Sequence, residues 1–129
     1  MSESGITKQT LLALSQLDGV RVWRQNVAKL PDLTGQWIQF GIPGMADVGG
    51  IAAPGGWRLE IELKKGKGHR NRKVIERQKR WRAMIERHGG IYLLARNAQD
   101  AVEQLKAVLA ERRKDRTSES STEARNARH

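Results

Sequence analysis

Eight residues, Trp57 to Lys64, alternate without a break. Trp57, Leu59, Ile61 and Leu63 are apolar, while Arg58, Glu60, Glu62 and Lys64 are charged. A period of two over this length belongs to a β-strand with one face on a core. It also projects Glu62 and Lys64 from the same face. Pro54-Gly55-Gly56 precedes the strand and reads as a tight turn. A strand before that turn can therefore fold back antiparallel. The candidate is Met45 to Ala52, whose Gly49 and Gly50 mark a close approach of neighbouring structure.

The other elements follow from periodicity and stop signals. Residues 6–17 space Ile6, Leu11, Leu14 and Leu17 as an amphipathic helix does, and Leu17-Asp18-Gly19 ends it. Val20 to Trp23 reads as a strand. Residues 27–34 read as a loop, with Pro31 and Asp32 as turn signals, and Trp37 to Phe40 as a further strand. A basic helix is expected over 73–88, with Val74, Gln78, Trp81 and Ile85 in one stripe and Gly89-Gly90 as its stop. Ile91 to Ala95 is an apolar strand of buried type. Asn97 is a suitable N-cap, with Asp100 three residues on, for a last helix to about Arg113 that buries Ala101, Leu105 and Val108. Residues 114–129 are polar, lack apolar anchors and are expected to form a disordered tail. The expectation is one α/β domain over 1–113, since 129 residues leave room for one main core.

Composition narrows the chemistry. With no cysteine, disulfides, thiolate zinc sites and a cysteine nucleophile are excluded. His69, His88 and His129 form no pair at ligand spacing. Any metal should then be a hard ion on oxygen ligands, such as Mg²⁺ or Mn²⁺. No apolar run approaches membrane-spanning length. The N-terminus lacks a signal-peptide pattern, so a cytosolic chain with no membrane partner is expected. The net charge is +10, and its distribution matters more: Lys64 to Arg82 holds ten basic residues against one acid, whereas the other 14 basic and 13 acidic residues nearly cancel. Such a concentrated segment fits a nucleic-acid partner. The alternative is a solvated Lys/Arg helix face without one.

Glu62-Leu63-Lys64 means little as a bare string. In a chain with 14 acids and 9 lysines, about one acid-x-Lys match is expected by chance. It gains weight because it is the sole match, lies on an alternating strand, and has Asp47 upstream on the candidate neighbouring strand. Two carboxylates brought together repel each other, and a divalent cation relieves that repulsion. The Leu63 carbonyl could add an oxygen ligand. Such an ion lowers the pKa of bound water and neutralises phosphate charge. A neighbouring lysine can orient that water or stabilise developing charge. The alternative is that Glu62 and Lys64 solvate an outer sheet face and Asp47 serves a turn.

Taken together, several stretches resemble the VRR-NUC family of the PD-(D/E)XK nuclease superfamily, in its small stand-alone phage and bacterial form. They are Gly41-Ile42-Pro43-Gly44-Met45-Ala46-Asp47, Glu62-Leu63-Lys64, Gln78-x-x-Trp81, and Gly89-Gly90 before an apolar strand. The Trp23-Arg24-Gln25-Asn26 strand end is similar too, and the resemblance covers about residues 3 to 108. It implies a restriction-endonuclease-like αβββαβ core, here followed by a C-terminal helix. By position it implies Asp47 and Glu62 as metal ligands with the Leu63 carbonyl, Lys64 as catalytic lysine and Gln78 as a glutamine near the active site. Trp81 is read as core packing. Glu3 is the one acid available where many members carry a metal-binding glutamate on the first helix. Asn26-Val27-Ala28 departs from the family's usual Asn-x-Gly, which puts the role of the following loop in doubt.

The resemblance further implies an Mg²⁺- or Mn²⁺-dependent DNA endonuclease that leaves 5′-phosphate and 3′-hydroxyl ends, selective for branched DNA such as flaps or four-way junctions, and acting as a homodimer. Lys65, Lys67, Arg70, Arg72 and Lys73, from the basic segment, are expected to hold the DNA. The rival reading is a non-catalytic basic DNA-binding module on a nuclease-like fold.

Overall fold

The alternating strand is the second of two strands at the centre of a four-stranded sheet. The computed structural model describes residues 3–25, 28–40, 42, 44–64 and 72–127. Its elements are α1 (Glu3–Ser15), β1 (Val20–Arg24), β2 (Ala28–Pro31), β3 (Trp37–Phe40), β4 (Val48–Ala52), β5 (Trp57–Leu63), α2 (Arg72–Arg87), β6 (Ile91–Ala95) and α3 (Ala98–Ala127). The main sheet runs β1-β4-β5-β6. β1 with β4 and β4 with β5 are antiparallel, and β5 with β6 is parallel, so α2 makes the crossover a parallel pair requires.

The apolar face of β5 builds the core. Leu59, Ile61 and Leu63 are buried against Leu14 of α1 and Ala101, Leu105 and Leu109 of α3. Burying each such side chain stabilises the fold by about 1.5–3 kcal/mol. α3 starts where Asn97 caps it: Asn97 Oδ1 accepts the Asp100 N–H at 2.8 Å. Its middle is pinned to two turns. Arg112 donates to the carbonyls of Gly89 and Gly90, and Arg113 to those of Asp18 and Ala53.

α2 covers the opposite face of the sheet. Trp81, Met84 and Ile85 pack there with Ala46 and Tyr92 in a second, smaller cluster. The helix stops at Gly89-Gly90 as expected, with the Gly90 N–H on the Ile85 carbonyl at 2.8 Å.

Three features differ from the sequence reading. Residues 28–31, expected in a loop, form β2, which pairs with β3 in a separate two-stranded sheet. The turn signal at Asp32 acts one step later, at the hairpin tip, where Asp32 Oδ1 accepts the N–H groups of Thr34 and Gln36. Second, β4 begins at Val48 rather than Met45. Third, α3 continues as helix to Ala127 rather than ending near Arg113. With the hairpin set aside, the chain runs helix, three antiparallel strands, helix, parallel strand, helix. No helix among the described residues is long and apolar enough to cross a membrane.

Candidate functional site

The β4–β5 pairing brings the two carboxylates together. Val48 pairs with Ile61, and one further step of that register sets Asp47 across from Glu62. Asp47 is held from both sides. Its carbonyl accepts the Gln25 N–H at 2.9 Å, and its Oδ2 accepts the Leu63 N–H at 2.8 Å. A carboxylate offers about four lone-pair positions, so this bond does not exhaust it. A strand residue directs its N–H and C=O toward the same neighbouring strand. The Leu63 carbonyl is therefore directed to the Asp47 side. The Lys64 N–H goes the other way, to Ala95 at 2.8 Å.

Along one face of β5 the charged residues emerge from under α2 in order. Glu60 is fully buried, Glu62 half-buried and Lys64 exposed. α2 accounts for the gradient. The Trp81 indole N–H donates to Glu60, and one turn earlier Gln78 Nε2 reaches Glu62 Oε1 at 3.5 Å. Lys64, one residue past the end of β5, is exposed.

Glu60 ties this region together. Besides Trp81, it accepts a hydrogen bond from Gln25 Nε2 and faces the Arg58 guanidinium at 3.8 Å. Gln25 also donates to the Ala46 carbonyl at 3.1 Å and accepts from Arg58. The end of β1, the residues before β4, β5 and α2 are thus joined through one carboxylate. Burial pushes the Glu60 carboxyl above the usual range, against the hydrogen bonds from Trp81 and Gln25 and the charge of Arg58. Tyr92 reports the same crowding. Burial foremost, then the charges of Glu62 and Glu60 and, more weakly, Asp47, hold its phenol above the ordinary value, and Arg82 opposes them.

Two glycines permit the arrangement. A Cβ on Gly49 would run into the Gln25 side chain and lie 2.9 Å from Trp23 Nε1. Gly44, at φ +92°, lies against α2, where a Cβ would meet the Arg77 carbonyl oxygen at 2.6 Å. The close approach expected near Gly49 is thus made by the end of β1.

These donors suit a hard cation in part. Asp47, Glu62 and the Leu63 carbonyl are all oxygens, the ligand type Mg²⁺ and Mn²⁺ take. They are fewer than the six or so that an octahedral ion needs, so water or substrate oxygens would complete the shell. Among the described residues no group of three His, Cys, Asp or Glu side chains is placed to hold a metal.

Comparison with protein families, with curated proteins and with solved structures finds no match.

The structure brings together Asp47, Glu62, Leu63 and Gln78, with Lys64 on the same strand face. Trp81 packs in the second cluster as expected, but it also carries the hydrogen bond to Glu60. Arg72 and Lys73 are exposed at the start of α2. Lys65, Lys67 and Arg70 lie outside the described residues, as do Gly41, Pro43, Asn26, Val27 and the Glu3 side chain. Sequence reasoning missed Glu60, Gln25 and Arg58. A signal was present: α1 and the last helix both needed the apolar face of the sheet. The α2 stripe therefore had to cover the charged one.

Proposed function

We propose that the chain is a metal-dependent nuclease of the PD-(D/E)XK type, similar to the VRR-NUC family, hydrolysing DNA phosphodiester bonds. The observation that carries the reading is Asp47 set across from Glu62, with Lys64 two residues further along the same face. The order of helices and sheet strands supports it. Under this reading Asp47, Glu62 and the Leu63 carbonyl hold an Mg²⁺ or Mn²⁺ ion, which supplies an acidified water and neutralises phosphate charge.

The chain's own residues do the rest. Lys64, at the exposed end of the face, donates to the attacking water or to the phosphate oxygen as charge develops. Gln78 contacts Glu62 from α2 and orients its carboxylate. The Leu63 N–H fixes Asp47 Oδ2 and so holds the carboxylate at the end of β5. Trp81, Gln25 and Glu60 hold the helix and the Asp47 segment in register behind them. Branched DNA is the proposed substrate and a homodimer the proposed assembly, both from the family resemblance.

A non-catalytic DNA-binding module accounts for the basic segment but gives the carboxylates no role, since they repel the phosphate backbone. Incubation with plasmid and with branched DNA, in Mn²⁺ and in EDTA, tests the proposal. Cleavage in Mn²⁺ alone is expected. Intact DNA in both would overturn it.

A further inference from the structure

The two flanks of α2 differ in how their charges are used. On the side toward β6, Arg82 is committed: it pairs with Glu86 at 3.1 Å and stands over the Tyr92 ring at 5.2 Å. On the side toward β4, positions 73, 77, 80, 84 and 87 follow at steps of four, three, four and three, the spacing of one helical face. They are Lys73, Arg77, Arg80, Met84 and Arg87, a row with four cations and no acid.

Two observations point this row at the candidate site. Gly44, three residues before Asp47, lies directly against the backbone of Arg77. An open cleft also runs along the flank, lined by Arg77, Arg80, Trp81 and Met84. Its Trp81 wall is the residue that holds Glu60, and one turn before it Gln78 reaches Glu62. Arg77 and Arg80 are exposed and make no ion pair among the described residues. Glu76, one turn before Arg80, is exposed as well and is not joined to it.

We propose that this flank, centred on Arg77 and Arg80, seats the phosphate backbone of the nucleic-acid strand that enters the Asp47–Glu62 site. The choice of flank rests on the hydrolytic reading of that site. Guanidinium groups match phosphate geometry with two parallel hydrogen bonds. Uncommitted ones need break no existing pair to do so. Cations here also offset the repulsion between the carboxylate pair and an approaching backbone. From position 73 to 87 the row spans about 21 Å at the helical rise of roughly 1.5 Å per residue, enough to follow several phosphates. Arg72, expected from the sequence to hold DNA, projects about 80° round the helix from Arg80 and about 100° from the middle of the row, and does not line the cleft.

The test is binding of fluorescent duplex and branched DNA to the full chain in EDTA, so that no cleavage occurs, across a salt series. R77A/R80A is compared with K79A/K106A, which removes the same charge from exposed positions off this flank, one on α2 and one on α3. Each lost phosphate contact lowers the slope of log K against log salt by about 0.9 for duplex DNA. R77A/R80A should therefore flatten it by about 1.8 units, while K79A/K106A leaves it close to wild type. Equal effects from the two pairs, or a larger one from K79A/K106A, would overturn the proposal. So would failure of the wild type to bind DNA, or equal binding to polyglutamate. Because binding is read without metal, a protein that binds along this flank and never cuts would reject the nuclease reading and leave the binding track standing.

Discussion

The carboxylate of Asp47 accepts the backbone N–H of Leu63 at 2.8 Å. One contact thus places the acid beside the next strand and satisfies a donor at the strand's end. Asp47→Asn keeps an acceptor oxygen there, whereas Asp47→Ala removes it. Chemical denaturation should show the Asn variant within about 1 kcal/mol of wild type and the Ala variant about 1–3 kcal/mol less stable. Equal losses for both would mean that the hydrogen bond is not what Asp47 contributes to the fold.

Glu60 is expected to matter more for folding than any other acid in the sheet. Its removal strands the Trp81 and Gln25 donors and leaves Arg58 without its counter-charge. Glu60→Ala should cost about 3–5 kcal/mol, since two donors lose their acceptor at about 1–3 kcal/mol each. Glu60→Gln keeps one acceptor but turns an amide donor toward donors, and should cost about 1–3 kcal/mol. A Glu60→Ala variant that unfolds at the wild-type denaturant midpoint would refute this account of the network.

Lys64 is exposed and contributes its backbone, not its side chain, to the sheet. Lys64→Ala should therefore melt like wild type and titrate Mn²⁺ with similar affinity. Its turnover should fall by about 10²–10³-fold, the usual loss for one donor to a developing charge. Calorimetric titration beside a cleavage assay separates the two properties. Lost Mn²⁺ affinity with unchanged chemistry would assign the lysine to the ion instead.

The first turn of α3 should respond to acid. The backbone N–H of Arg96 foremost, then the Gln104 side chain, hold the Asp100 carboxyl below the usual range. A carboxyl lowered on folding stabilises the protein above its unfolded value, and that stability is lost as pH falls through the folded one. Wild type should thus lose melting temperature below about pH 4 more steeply than Asp100→Asn, given an unfolded aspartate pKa near 3.9. Parallel melting curves down to strong acid would remove Asp100 from this role.

How much of this was legible in the sequence depends on range. β5, the α2 stripe and the Asn97 cap could be read because each is set by residues within a few positions of one another. β2 could not: four residues ending in Pro31 and followed by Asp32 carry the signals of a loop, and their partner β3 forms a hairpin apart from the main sheet. The carboxylate pair was half legible. Alternation placed Glu62, but only the Val48–Ile61 register sets Asp47 opposite it. The burial of Glu60 was hidden, since a charged residue on an alternating strand reads as facing water. Against that stands one indirect cue: α1 and α3 take the apolar face and leave α2 the charged one, where Trp81 donates to Glu60.

The central claim is that Asp47 and Glu62 are the metal-binding pair of a nuclease. Its most direct test is single-turnover cleavage of branched DNA in Mn²⁺ by wild type, Asp47→Asn and Glu62→Gln, with DNA binding followed by anisotropy. The account predicts cutting by wild type and none by either variant, with binding kept or tightened as a repulsive charge is removed. Cleavage at the wild-type rate by either variant would contradict it.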